Sequence, residues 1–197
     1  CLILPLPFNL TEIVSNWLAE LNFASWPTRF LKSSASTFNS FGSMIISEIL
    51  STEAILTSIK ASSKKRVLQE LSVGISSVYG LNQSEVFLAL QERENLGPTG
   101  MGHGVAIPHA RISSLNSIKG LFAKLIKPLD FGSMDSQNVD LIFVLIAPHE
   151  SGANHLKALA KVSRILRNKS TCEKLRSTLD KSALYSILTT DEEIQAA

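Results

Sequence analysis

The stretch Val139-Asp140-Leu141-Ile142-Phe143-Val144-Leu145-Ile146-Ala147 decides the fold. It is a nearly unbroken apolar run rich in β-branched residues, and too short to span a bilayer, which takes about 20 residues. A run of this length reads as a β-strand buried on both faces, central in a sheet that helices cover. Upstream, Ile118 to Ile126 reads as a second strand, with Leu121, Ala123 and Leu125 on one face. Val105-Ala106-Ile107 reads as a third. Ahead of these, Lys64 to Val78 carries Val67, Leu68, Leu71, Ile75 and Val78 at helix spacing, and Gly80 closes it. Asn82 with Glu85 forms a capping box for a helix from Ser84 to about Glu92. Downstream, His155 to Leu166 is helical by the spacing of Leu156, Leu159, Val162, Ile165 and Leu166. Ser170 with Glu173 predicts a helix to about Leu179, and Thr190 with Glu193 a further start. Helices, then strands, then helices make an α/β sandwich.

The 197 residues fit about one domain, with 45% hydrophobic and 18% charged residues, which excludes a disordered or low-complexity chain. The formal charge of +2 leaves no footprint for nucleic acid. Two cysteines, Cys1 and Cys172, are too few for a disulfide scaffold. No secretory signal or membrane span is read, so a cytoplasmic location is expected. Residues 1–43 differ from the rest. They hold both Trp and three of the seven Pro, and end in the Ser-rich run Ser33 to Ser40, which reads as linker. Thr11 to Leu21 fits one short helix. The expected division is therefore an extension or linker at 1–43 and a domain at 44–197.

All four histidines, His103, His109, His149 and His155, fall in one window. The same window contains Gly97, Gly100, Gly102 and Gly104, a loop whose backbone N–H groups could bind an anion. It is no P-loop, because no Gly-Lys-Ser/Thr follows. His109 follows Pro108 at a strand end, where α/β proteins place reactive groups, and a neutral imidazole there is a competent nucleophile. A phosphoryl group on it would carry nearly two negative charges and need cations or N–H donors nearby. Arg93, Arg111 and a second histidine are the candidates. Two bland readings stand beside this one. His109 fits a packing residue, and the two six-residue histidine spacings fit a zinc site, though tighter spacings are usual.

Arg93-Glu94-x-Leu96-Gly97-x-Thr99-Gly100-x-Gly102-x-Gly104-Val105-Ala106-Ile107-Pro108-His109 resembles the active-site signature of the type-2 enzyme IIA domains, the fructose/mannitol class, of the bacterial phosphoenolpyruvate-dependent phosphotransferase system. A strand ending Ala147-Pro148 followed by His155-Leu156-x-x-Leu159-Ala160 resembles the second block of that family. The resemblance runs from about Ile45 to Ile194. It implies a mixed β-sheet sandwiched between helices. It implies phosphoryl acceptance at His109, with His155 bonding or neutralising the phosphoryl oxygens and Arg93 holding charge. It implies an HPr-type phosphocarrier as donor, with no metal and no cofactor. Lys64-Lys65-Arg66, and the lack of a IIB or IIC segment within these residues, look more like the stand-alone nitrogen-related branch, whose targets include potassium transport and sensor kinases. The alternative is a sugar-transport IIA passing phosphate to a IIB protein, and a third reading is an interaction module without catalysis. The sequence departs from the family pattern at Pro98, where serine is usual, so the loop lacks one hydroxyl and one N–H. Leu96, Met101 and Ile112 are expected to form an apolar rim.

Overall fold

A computed structural model of the chain describes residues 45–190. The helix expected at Thr11–Leu21, the Ser-rich run and Glu193 lie outside the described residues. Chain order is α1 (Ile46–Ile49), a 3-10 turn (Thr52–Ala54), β1 (Ile55–Ile59), α2 (Lys64–Tyr79), α3 (Gln83–Leu96), β2 (Gly100–Gly102), β3 (Val105–Ala106), β4 (His109–Ile112), β5 (Lys119–Leu129), β6 (Val139–Pro148), a second 3-10 turn (His149–Ser151), α4 (Gly152–Arg167), α5 (Lys169–Ser177) and α6 (Lys181–Thr189).

The strands form one mixed sheet in the order β1-β5-β6-β3-β2, with β4 also paired to β6. Strand β6 runs antiparallel to β5 on one side. On the other it runs parallel to β3 at its beginning and to β4 at its end. It is therefore central, and its residues from Leu141 to Ala147 are all buried. Continuous apolarity is required because both faces are covered.

Register assigns the faces. Leu121 lies opposite Val144, and Ala123 opposite Ile142. On this face α2 comes so close that a Cβ on Gly74 would stand 2.8 Å from Leu56 and 3.0 Å from Leu121. On the opposite face, Phe143 packs with Ile46 of α1, Val162, Ile165 and Leu166 of α4 and Leu188 of α6. Gly120 lets the Phe143 ring lie flat on β5, since a Cβ there would meet the ring at 2.8 Å. Helices thus cover both faces, as expected. His109 pairs with Leu145 and Arg111 with Ala147, so both belong to the Phe143 face, beneath α4.

Most helix boundaries follow their caps. Ser63 accepts from Arg66 N and Asn82 from Glu85 N. Gly80 closes α2 at φ +69, a conformation that favours glycine. Three boundaries differ from expectation. Helix α3 continues to Leu96, because Val86, Leu90 and Glu94 keep one face buried. Helix α4 begins at Gly152, which puts His155 in its first turn rather than at its start. Helix α5 is capped by Asn168, not Ser170: the Asn168 side chain accepts from Thr171 N while its own N–H closes α4 on Ile165 O. Helix α6, capped by Asp180, was not expected, and the helix expected to open at Thr190 lies outside the described residues. Strands β1, β2 and β4 were not expected, because segments of three to five residues carry too little alternation to read.

Candidate active site around His109

His109 is the first residue of β4, and alternation puts His109 and Arg111 on one face with Ala110 and Ile112 on the other. Ile112 is buried in the core at 2% exposure, so it forms no rim, whereas Leu96 is 75% exposed. The strand end is anchored by Leu145 N–H, which donates to Pro108 O at 3.0 Å.

Two contacts fix the His109 imidazole. Nδ1 lies 2.9 Å from Ile107 O. A carbonyl can only accept, so Nδ1 carries the proton. Arg93 Nε donates to Nε2 at 3.0 Å, so Nε2 presents its lone pair. Arg93 stands in the last turn of α3, where its Nη1 also donates to Gly97 O at 3.1 Å. A cation suits that helix end, and here it is turned from the helix surface toward β4.

His155 approaches from α4. It shares the stripe of Ala158, Leu159, Val162, Ile165 and Leu166, which packs that helix on the sheet. Its ring lies 5.7 Å from that of His109, at 62°. Arg111 Nε donates to its Nδ1 at 3.3 Å, which leaves the proton on Nε2. That Nε2 is buried and has no hydrogen-bond partner among the described residues. An unmet buried donor costs about 1–3 kcal/mol, so this one marks a place built for an acceptor.

Burial and the nearby cations keep both rings neutral. His109 is pushed down to about 3, chiefly by burial, with the Arg93, His155 and Arg111 charges adding to it against the Ile107 bond. His155 is pushed down to about 4 by burial, then by Arg111 and Arg93. At pH 7 the site holds two neutral imidazoles and two guanidinium groups, a cluster of net positive charge in which the His109 Nε2 lone pair faces Arg93.

The loop is braced from behind by Glu94, a residue the sequence placed in the signature without a role. Its carboxylate is buried and accepts from Thr99 N at 3.2 Å, Thr99 Oγ1 at 2.6 Å and Lys64 Nζ at 2.9 Å. Thr99 O then accepts from Ile107 N at 3.0 Å. The substitution at Pro98 leaves this brace intact, because Pro98 is exposed and the bonds are made by its neighbour.

The glycines serve otherwise than expected. Gly102, His103 and Gly104 all have positive φ and turn β2 into β3 as a tight hairpin. His103 N–H is already taken by Asp135 Oδ2 at 2.7 Å, so the hairpin offers no anion cradle there. His103 and His149 are exposed, and among the described residues no three potential metal ligands converge. No helix of the described residues is long and apolar enough to cross a membrane.

Comparison with known proteins agrees with this geometry. Residues 48–191 match the family model for the phosphoenolpyruvate-dependent sugar phosphotransferase system, EIIA 2. A nitrogen regulatory protein of Bradyrhizobium diazoefficiens is 49% identical over 145 residues, 74% of this chain and 95% of that protein. The crystal structure of nitrogen regulatory protein IIA-Ntr from Neisseria meningitidis superposes with a TM-score of 0.70 at 35% identity, covering 73% of this chain and 99% of that one. The mannitol IIA of Escherichia coli shares the fold, with a TM-score of 0.61 at 20% identity over 70% of this chain and 97% of that one. A central β6 under two helical layers, a strand-end histidine and full-length likeness to nitrogen regulators have one common explanation: the chain belongs to the type-2 enzyme IIA family of the phosphotransferase system, among its nitrogen regulatory proteins.

Proposed function

We propose that this protein accepts a phosphoryl group on Nε2 of His109 from the phosphohistidine of an HPr-type carrier, and that it does so as a regulator. One observation supports the reading: His109 is held neutral with its Nε2 lone pair on Arg93, close to a buried N–H of His155 that has no acceptor among the described residues. In the transfer, the lone pair of Nε2 attacks phosphorus as the carrier's P–N bond breaks in line. The departing imidazole keeps that electron pair and leaves neutral, its far nitrogen already protonated, while His109 retains its Nδ1 proton against Ile107 O. Attack displaces Arg93 Nε from Nε2, which frees it to bond a phosphoryl oxygen, and His155 Nε2–H bonds another. The work is positioning and charge stabilisation, so these side chains suffice without covalent help.

The regulatory role rests on the likeness to nitrogen regulatory proteins, and potassium transport or sensor kinases are the targets we would test first. We assign residues 44–197 to the phosphoryl-accepting domain, 1–43 to an extension, and the protein to the cytoplasm. Incubation with phosphoenolpyruvate, enzyme I and an HPr-type carrier is expected to give an acid-labile, base-stable phosphate. His109→Ala is expected to take up none. Label on that variant would overturn the assignment, and efficient transfer onward to a IIB protein would favour the sugar-transport role instead.

A further inference from the structure

Arg111 is a half-buried cation that the transfer above does not use. It sits two residues beyond His109 on the same face of β4, so strand geometry sends its side chain toward α4. There its Nε reaches His155 Nδ1 at 3.3 Å. A neutral imidazole has one proton and two nitrogens, and which nitrogen holds it depends on what the other one meets. In water the two tautomers coexist. Against a guanidinium, which can only donate, Nδ1 must accept and the proton must stand on Nε2. Nothing else among the described residues holds that choice, because Nε2 has no partner of its own. His109 has a backbone carbonyl for the same purpose, at Ile107.

We propose that Arg111 is a positioning residue, which holds His155 in the Nε2–H tautomer so that a donor, and not a lone pair, faces the phosphoryl oxygens on His109. The role depends on the phosphoryl-acceptor reading for its purpose, though the tautomer itself is a property of the unmodified protein. A lone pair turned toward a phosphoryl oxygen would repel it, so the wrong tautomer removes a hydrogen bond and adds a repulsion.

The test uses the full chain carrying ¹⁵N-labelled histidine. Long-range ¹H–¹⁵N spectra at pH 7 report the tautomer of each ring, and rapid-quench labelling by the phosphorylated carrier reports transfer. In the parent protein His155 is expected as the Nε2–H form. In Arg111→Met it should become a mixture of tautomers, while the His109 ring signals stay in place. Transfer should slow by roughly ten- to a hundredfold, with the half-saturating carrier concentration unchanged. Arg111→Lys, which keeps a donor, should restore both the tautomer and most of the rate. An Arg111→Met protein whose His155 remains the Nε2–H form overturns the proposal, whatever its rate, since Arg111 would then act by charge alone. A tautomer shift with no slowing overturns the positioning role. Failure of the acceptor reading is seen separately, in a parent protein that takes no phosphate or in a labelled His109→Ala.

Discussion

Two buried polar clusters lie on the same face of the sheet, and they are built to opposite rules. At one, Lys124 of β5 reaches the end of α5, where its Nζ donates to Leu175 O at 2.8 Å, Arg176 O at 2.9 Å and Thr178 O at 2.6 Å. Every ammonium hydrogen has an acceptor, and the helix end gains a counter-charge for its orphan carbonyls. Alongside, Arg176 clasps Asp140 with two 2.7 Å bonds and donates to His103 O at 2.9 Å. At the other cluster, the His109 Nε2 lone pair accepts from Arg93 Nε, a donor that attack can displace, and His155 Nε2–H has no acceptor among the described residues. Both clusters are buried and both hold cations. Only the second leaves hydrogen-bonding capacity unspent. The distinction between a structural and a chemical site here is therefore one of satisfaction rather than burial.

That contrast can be broken by mutation, most severely at the proposed acceptor. His109→Ala should abolish phosphate uptake and cost about 1–2 kcal/mol in thermal unfolding, for the lost bonds to Ile107 and Arg93. Lys124→Met should do the reverse. Three carbonyls, one of them buried, lose their donor, and the cost should reach about 3 kcal/mol in urea unfolding, with phosphorylation of the folded fraction unchanged. A Lys124→Met protein that unfolds like the parent but transfers slowly would erase the contrast.

Acid sharpens it. The folded pKa values of His109 and His155 lie near 3 and 4, below the ordinary 6.5. Both rings stay neutral in the folded state while the unfolded chain takes up protons below pH 6.5. Their contribution is complete above that pH and is lost as pH falls toward 4. Between pH 6.5 and pH 5 each should cost about 2 kcal/mol of stability. Unfolding of His109→Gln/His155→Gln, followed over the same range, should show a decline shallower by about twice that. Phosphorylation should act the other way on His155. A dianionic neighbour favours its charged form, so its NMR titration midpoint should rise in the phosphoprotein.

The smallest effect belongs to the exposed histidine. His103→Ala should change transfer by less than about twofold. His103→Val should destabilise by about 1 kcal/mol, because φ +55 is costly for a β-branched residue, and His103→Gly should be tolerated.

Much of this was legible in the chain. The apolar run at 139–147 could only be a strand covered on both sides, and Ser63, Asn82 and Gly80 mark helix ends by local chemistry that needs no tertiary partner. The strand-end His109 and Arg93 stood out for the same reason: their residue types and order carry a chemistry. Boundaries set by competition were not legible. Asn168 and Ser170 are both good caps, and the choice of Asn168 also satisfies the end of α4. Asp180 opens α6 without the glutamate that would have announced it.

The layered α/β class and the central strand were readable along the chain, and His109 stood out there as the candidate acceptor, because periodicity, capping and residue chemistry are local properties. Only the tertiary structure decided which nitrogen of each imidazole bears the proton, that Glu94 braces the loop with Lys64 from 30 residues away, and that Arg111 belongs to His155. Those are matters of angstroms between distant segments. They exist only once β4, β6 and α4 are packed against one another, and nothing in the order of residues along the chain encodes them singly.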